Sequence, residues 1–271
     1  MKFIGFALTF ICLINLIIAG KNSKSKSNKR YNPIMFYTSK TIDNSHLIRT
    51  LLVLSGIPFN EFRFKKNSPS LEEMFNSVVE SGFLVPSIPM ITDNEYSVKN
   101  ISQEEAIIHY LILSYYPDLF PKVISDYAIS LQIGSAVRSY IQKVHKIIEL
   151  SQKLVCEKLL TIDNINITLK LLDDKFIETG SRFYFGGRYS YFDASVYTLI
   201  LFVENISSGC ITSNYEGLKA FSKEFSSISQ ISKFEKSSYF LSLIVPGTTR
   251  FVKPIDFVSQ AHESQVIEDN E

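Results

Sequence analysis

Three Asn-x-Ser/Thr triplets, Asn100-Ile101-Ser102, Asn166-Ile167-Thr168 and Asn205-Ile206-Ser207, are acceptors for an N-linked oligosaccharide wherever the chain meets that chemistry. Other reactive side chains are sparse. Of the three cysteines, Cys12 lies in an apolar run and Cys156 and Cys210 lie in the globular part. None forms a C-x-x-C pair or has a histidine at ligand spacing, so neither a dithiol motif nor a zinc site is supported. Cys156 and Cys210 are expected as buried free thiols, or as one disulfide if the chain is secreted. His46, His109 and His145 stand in helical contexts without ligand spacing to one another and are expected at the surface or as partly buried scaffolding. No metal site is expected. A P-loop, an H-E-x-x-H pair and a glycine-rich dinucleotide turn are all missing from the sequence, which argues against the enzyme classes built on them.

The elements that would position any site start from Ser190-Tyr191-Phe192-Asp193, a capping box. The Ser190 hydroxyl can accept from the Asp193 amide while the Asp193 carboxylate reaches back to the Ser190 amide. From Ala194 to Val203 almost no polar face is left, so the helix is expected to be buried on all sides. Gly186-Gly187 marks a turn before it. Amphipathic helices are expected on both flanks, 169–180 and 215–225. Upstream, 123–148 carries apolar or small residues at a spacing near 3.6 and reads as one long helix, with Gly134 where another helix can cross closely.

At 271 residues with a formal charge of +1, the chain is long enough for one large or two small domains and has no global field suited to nucleic acid. Residues 1–20 read as a secretory signal, with one Lys, a long apolar run and small Ala19-Gly20 at the cleavage point. The run is slightly long, so residues 3–19 as an uncleaved anchor is the alternative. Left uncleaved, the basic cluster Lys21 to Arg30 would keep the following chain cytosolic. Residues 21–32 form a basic linker. Next come short elements in the order β-α-β-α-β-β-α over 33–116, where Ser102-Gln103-Glu104-Glu105 is expected to be a second capping box. The Pro117 to Pro121 break precedes an all-α region, 122–245, and an acidic tail, 251–271.

This order resembles the glutathione S-transferase superfamily over about residues 33 to 245. The resemblance implies a thioredoxin-like α/β N-terminal domain followed by an all-α helical-bundle C-terminal domain. It also implies glutathione joined to hydrophobic electrophiles through a stabilised thiolate, with glutathione as substrate and no other cofactor. The partners implied are glutathione, a hydrophobic small molecule and a homodimer mate. A secretory or extracellular location follows from the leader, not from the resemblance. The alternative is a non-catalytic member of the same fold, used for binding or as a scaffold.

Carried over residue by residue, the resemblance makes Tyr37 the thiol activator with a one-residue shift. Thr38 fits without the shift, and Ser39 and Ser45 are further hydroxyls. Ile88-Pro89 is the best match to the cis-proline that presents backbone to the cysteinyl part, and Val85-Pro86 is second. Lys65 and Lys66 match a basic pair for the glycyl carboxylate, with Lys66 the glutathione ligand. Arg49 matches a structural arginine of the first helix. Tyr127, Leu131 and Tyr140 could line the second substrate's pocket. Gln103 and Glu104 fall where the family places Gln-Ser before Ala106-Ile107-Ile108-His109-Tyr110-Leu111. Glu104 departs from that pattern, because it sets a carboxylate against the γ-glutamyl carboxylate. At about 4 Å and an effective dielectric near 20, that repulsion is about 4 kcal/mol, enough to abolish ordinary binding unless Glu104 turns away.

Overall fold

The computed structural model describes residues 31–65, 68–80, 85–96, 98–150, 155–246 and 249–255. The signal segment, most of the basic linker, Lys66 and most of the acidic tail lie outside the described residues. Among the described residues no helix is long and apolar enough to cross a membrane.

Four strands and their helices come first: β1 (Ile34–Ser39), α1 (Ser45–Ser55), β2 (Phe59–Phe64), α2 (Pro69–Glu80), β3 (Met90–Asp93), β4 (Val98–Ser102) and α3 (Glu104–Tyr115). The sheet order is β2-β1-β3-β4. β1 runs parallel to β2 and antiparallel to β3, and β3 pairs antiparallel with β4. Alternation along β1 buries Ile34, Phe36 and Thr38 and leaves Met35, Tyr37 and Ser39 half-buried. The first set faces α1, since the Thr38 hydroxyl donates to Ser45 Oγ at 2.7 Å. α1 ends at Gly56, whose φ of 67° is the left-handed cap that glycine adopts at least cost.

A short 3-10 turn (Pro117–Leu119) leads into the helices α4 (Ile124–Leu150), α5 (Cys156–Thr161), α6 (Ile165–Thr179), α7 (Tyr191–Ile206), α8 (Glu216–Ser226), α9 (Ser229–Glu235) and α10 (Ser238–Leu241). α7 is the centre, and every residue from Tyr191 to Val203 is buried. Its capping box forms as the sequence implies. The Ser190 amide donates to Asp193 Oδ2 at 2.8 Å, and the Tyr184 amide donates to Oδ1 at 3.0 Å. Burial nevertheless raises the Asp193 carboxyl to about 6. Phe176, Tyr184, Phe192, Phe221 and Phe225 join α6, α7 and α8 through edge and tilted ring contacts.

Two expectations fail here for physical reasons. The second capping box does not form. Ser102 stays in β4 opposite Met90 and donates its hydroxyl to Val85 O at 2.6 Å, so α3 begins at Glu104 with Gln103 as an N-cap whose side chain does not cap the helix. His46 is fully buried, against Phe234 and Phe240, and burial lowers its pKa to about 3. Of the two options left open for the cysteines, the disulfide is the one present, Cys156–Cys210 with Cα atoms 5.2 Å apart.

Gly134 meets its expectation. A methyl group there would lie 2.7 and 2.8 Å from ring carbons of Tyr191 at the start of α7. Tyr191 cannot swing aside, because Phe120 packs on its ring and Arg138 Nη1 donates to its hydroxyl at 2.6 Å. Gly134→Ala should therefore cost about 1–3 kcal/mol by overpacking, outweighing the roughly 1 kcal/mol that alanine adds in a helix. Urea denaturation measures this; a variant as stable as wild type would show that α4 and α7 do not cross here.

Candidate active site

Strand pairing and a helix start bring Ile88, Pro89, Gln103 and Glu104 together at one end of the sheet. Ile88–Pro89 is a cis peptide bond, immediately before β3. Met90 pairs with Ser102, so the 85–89 segment runs beside the β4–α3 junction. Gln103 Nε2 donates to Ser87 Oγ at 3.2 Å across that gap. Gln103 has φ 71° and ψ 119°, a backbone conformation that a side-chain-bearing residue holds only when its surroundings impose it. Here they do: Ser102 is locked in β4 on one side, and Gln103 O accepts from the Ile107 amide at 3.0 Å on the other.

Glu104 is the first residue of α3 and is half-buried. Its carboxyl is raised to about 7, chiefly by burial and next by Asp43; Glu105 pushes the same way, while Arg138 and a hydrogen bond from Asn44 oppose. Arg138 comes from α4 and also pairs with Glu105. Asp43 is saturated locally. Its Oδ1 accepts the Ser45 amide at 2.9 Å and the Ser45 hydroxyl, and its Oδ2 accepts the Ser39 hydroxyl and, at 3.1 Å, that of Thr41. The start of α1 is thus held by a carboxylate that faces a second carboxylate at the start of α3.

The proposed thiol activators do not converge on this point. Thr38 is fully buried, donating to Ser45 and accepting from Arg49 Nη2 at 3.1 Å. Ser39 and Ser45 give their protons to Asp43. Tyr37 stands on the opposite face of β1 from Thr38, its ring stacked on Phe62 at 5.2 Å. Arg49 has the structural role expected of it, bonding Glu61 through Nε at 2.8 Å with no exposed surface. For the second pocket, Tyr140 is buried with its hydroxyl on Leu159 O, and Tyr127 packs on Phe120. The basic residue that sequence reasoning did not bring to the site is Arg138, which lies 33 positions from Glu105 and carries no local motif.

Comparison with known proteins agrees with this architecture. Residues 142–238 match the family described as glutathione S-transferase, C-terminal domain. The solved structure of NaGST-2 superposes with a TM-score of 0.60 at 14% identity, covering 76% of this chain and 97% of that one. No curated protein matches the sequence. A four-stranded sheet with its helices, followed by this helical half, gives the chain the glutathione S-transferase fold.

Burial of Glu104 has a measurable consequence for stability. A carboxyl raised in the folded state leaves folding unpenalised below its ordinary value of 4.5, and stability is lost as pH rises through about 7. By pH 8 that loss is on the order of 3 kcal/mol. Glu104→Gln, which has no charge to bury, should exceed wild type in thermal stability at pH 8 and match it near pH 4.5. Equal stability at both values would show that Glu104 is solvated.

Proposed function

We propose that the protein binds glutathione at the Ile88–Pro89 edge and the start of α3, and acts as a binding protein without thiol-activating chemistry. One observation carries this reading: the hydroxyls of Thr38, Ser39 and Ser45, next to the start of α3, are already committed to Asp43, Ser45 and Arg49. A thiol gains acidity from a donor near its sulfur, and a hydroxyl whose proton is already given to Asp43, as in Ser39 and Ser45, or to Ser45, as in Thr38, supplies none.

Glu104 then becomes a conditional ligand group. As a carboxylate it repels the γ-glutamyl carboxylate. As a neutral acid its O–H donates to that carboxylate, the part a hydroxyl plays in the family pattern, and the start of α3 adds the positive end of its dipole. The charged groups around Glu104 are Asp43 before α1, Glu105 on α3 itself and Arg138 from α4, and the two carboxylates favour the neutral form. Within this reading Ile88 and Gln103 offer backbone and amide groups to the rest of the tripeptide.

The transferase reading keeps one support: the Tyr37 hydroxyl has no hydrogen-bond partner among the described residues, and a ligand reaching that face of β1 would find it available.

Calorimetric titration with glutathione at pH 6 and pH 8 tests the proposal. Binding limited to the neutral acid should weaken about ten-fold between these values. Glu104→Ser should flatten the dependence and bind at least as tightly as wild type at pH 8. No glutathione binding in wild type at pH 6 would overturn the reading. So would conjugation of a hydrophobic aryl halide well above the uncatalysed rate, and a loss of that rate in Tyr37→Phe would restore the transferase assignment.

A further inference from the structure

The three glycosylation triplets differ once folded. Asn205, near the end of α7, uses both sides of its amide: Nδ2 donates to Leu201 O at 2.9 Å and Lys253 O at 3.0 Å, and Oδ1 accepts the Lys253 amide at 2.8 Å. A sugar on Nδ2 would remove one of those protons and break the clamp on the segment around Lys253. Asn100 lies half-buried in β4 at φ 50°, with Oδ1 taking the Thr92 hydroxyl at 2.7 Å. The hydroxyl of its triplet, on Ser102, is tied to Val85 O. Asn166 is different. It is the second residue of α6 and is exposed, with room for a bulky polar group.

An independent feature bears on the compartment. Cys156 opens α5 and Cys210 lies in the turn after α7, a turn shaped by Glu204, whose carboxylate accepts the amides of Gly209, Ile211 and Thr212 at 2.6–2.8 Å. The two sulfurs are bonded across 54 residues. Such a bridge persists in secretory and extracellular compartments and is rare in a reducing cytosol. The same lumen is where Asn-x-Ser/Thr triplets meet their modifying chemistry.

We propose that the chain is a glycoprotein of an oxidising compartment that carries an N-linked oligosaccharide on Asn166 and none on Asn100 or Asn205. The Asn166 amide nitrogen bonds to the anomeric carbon of a lipid-diphosphate-linked oligosaccharide. The bond from that carbon to phosphate oxygen breaks, the lipid diphosphate leaves with the electron pair, and the amide gives up one proton. The Cys156 and Cys210 thiols lose two protons and two electrons to the disulfide of an oxidoreductase, which leaves as a dithiol. Residues two apart do not face each other on a helix, so transfer to Asn166 precedes closure of α6. A sugar placed at the same stage on Asn100 or Asn205 would keep the β4 contacts or the Lys253 clamp from forming, so chains so modified do not reach the secreted fold.

The test is expression of the full chain in a eukaryotic secretory host, followed by peptide-N-glycosidase digestion of the secreted protein and thiol titration before and after reduction. One downward step in mobility is expected, with Asn166 converted to Asp in the peptide mass spectrum. Asn166→Gln and Thr168→Ala should each abolish the step, while Asn100→Gln and Asn205→Gln should leave it. The thiols of Cys156 and Cys210 should appear only after reduction. No step in wild type, a step that survives Asn166→Gln, or a chain retained in the cytosol with both thiols free would each overturn the proposal.

Discussion

Arg49 and Glu61 meet with neither side chain exposed, and the sheet end depends on that contact. Burying two charges is costly, and their attraction repays it only when the remaining hydrogen-bond capacity is filled. It is filled here. Arg49 also donates to Ser39 O at 2.9 Å and Thr38 Oγ1 at 3.1 Å, and Glu61 also accepts from Arg63 and the Tyr239 hydroxyl. Removing either partner would strand a buried charge, typically at a cost of about 3–5 kcal/mol. The pair thereby fixes α1 to β2 and, through the bonds of Arg49 to Thr38 and Ser39, holds the end of β1. Through Arg63, which donates to Tyr239 O and Ser242 Oγ, it also ties the sheet to the far end of the helical half.

Its consequence for chemistry is indirect. Holding the end of β1 in place sets Thr38 against Ser45 and Ser39 against Asp43, so the hydroxyls nearest the start of α3 are spent on folding. A free hydroxyl there would need a different end to β1. The edge at Ile88–Pro89 and the positive φ of Gln103 are set instead by pairing of β3 with β4.

The sequence shows best what is decided locally. Ser190 and Asp193 are three residues apart, and nothing distant competes for them, so their box forms and α7 is buried as its composition requires. Gly134 is legible because only a glycine in an apolar helical stripe has a reason to be there. Ser102 and Glu105 have the same spacing but fail as a box, because pairing with β3 holds Ser102 in extended backbone and Val85 O takes its hydroxyl. Local pattern cannot see that competitor. The Cys156–Cys210 bond, the Arg138–Glu105 pair and the burial of His46 between Phe234 and Phe240 are likewise tertiary facts, written in no single window.

Gln103 and Glu104 together show how backbone and side chain are decided separately at the β4–α3 junction. A left-handed φ on a glutamine costs about 1–3 kcal/mol and persists only where neighbours enforce it, so the β4–α3 junction keeps its shape whatever occupies the next position. Glu104 inherits that position with a different balance of forces. The dipole of α3 and Arg138 favour its charge, while burial and Asp43 oppose it, and the two sides come level at about 7. A hydroxyl there would be a donor at every pH. A carboxyl poised near neutrality is a donor on one side and an anion on the other, so the start of α3 changes its hydrogen-bonding character with a small change in acidity.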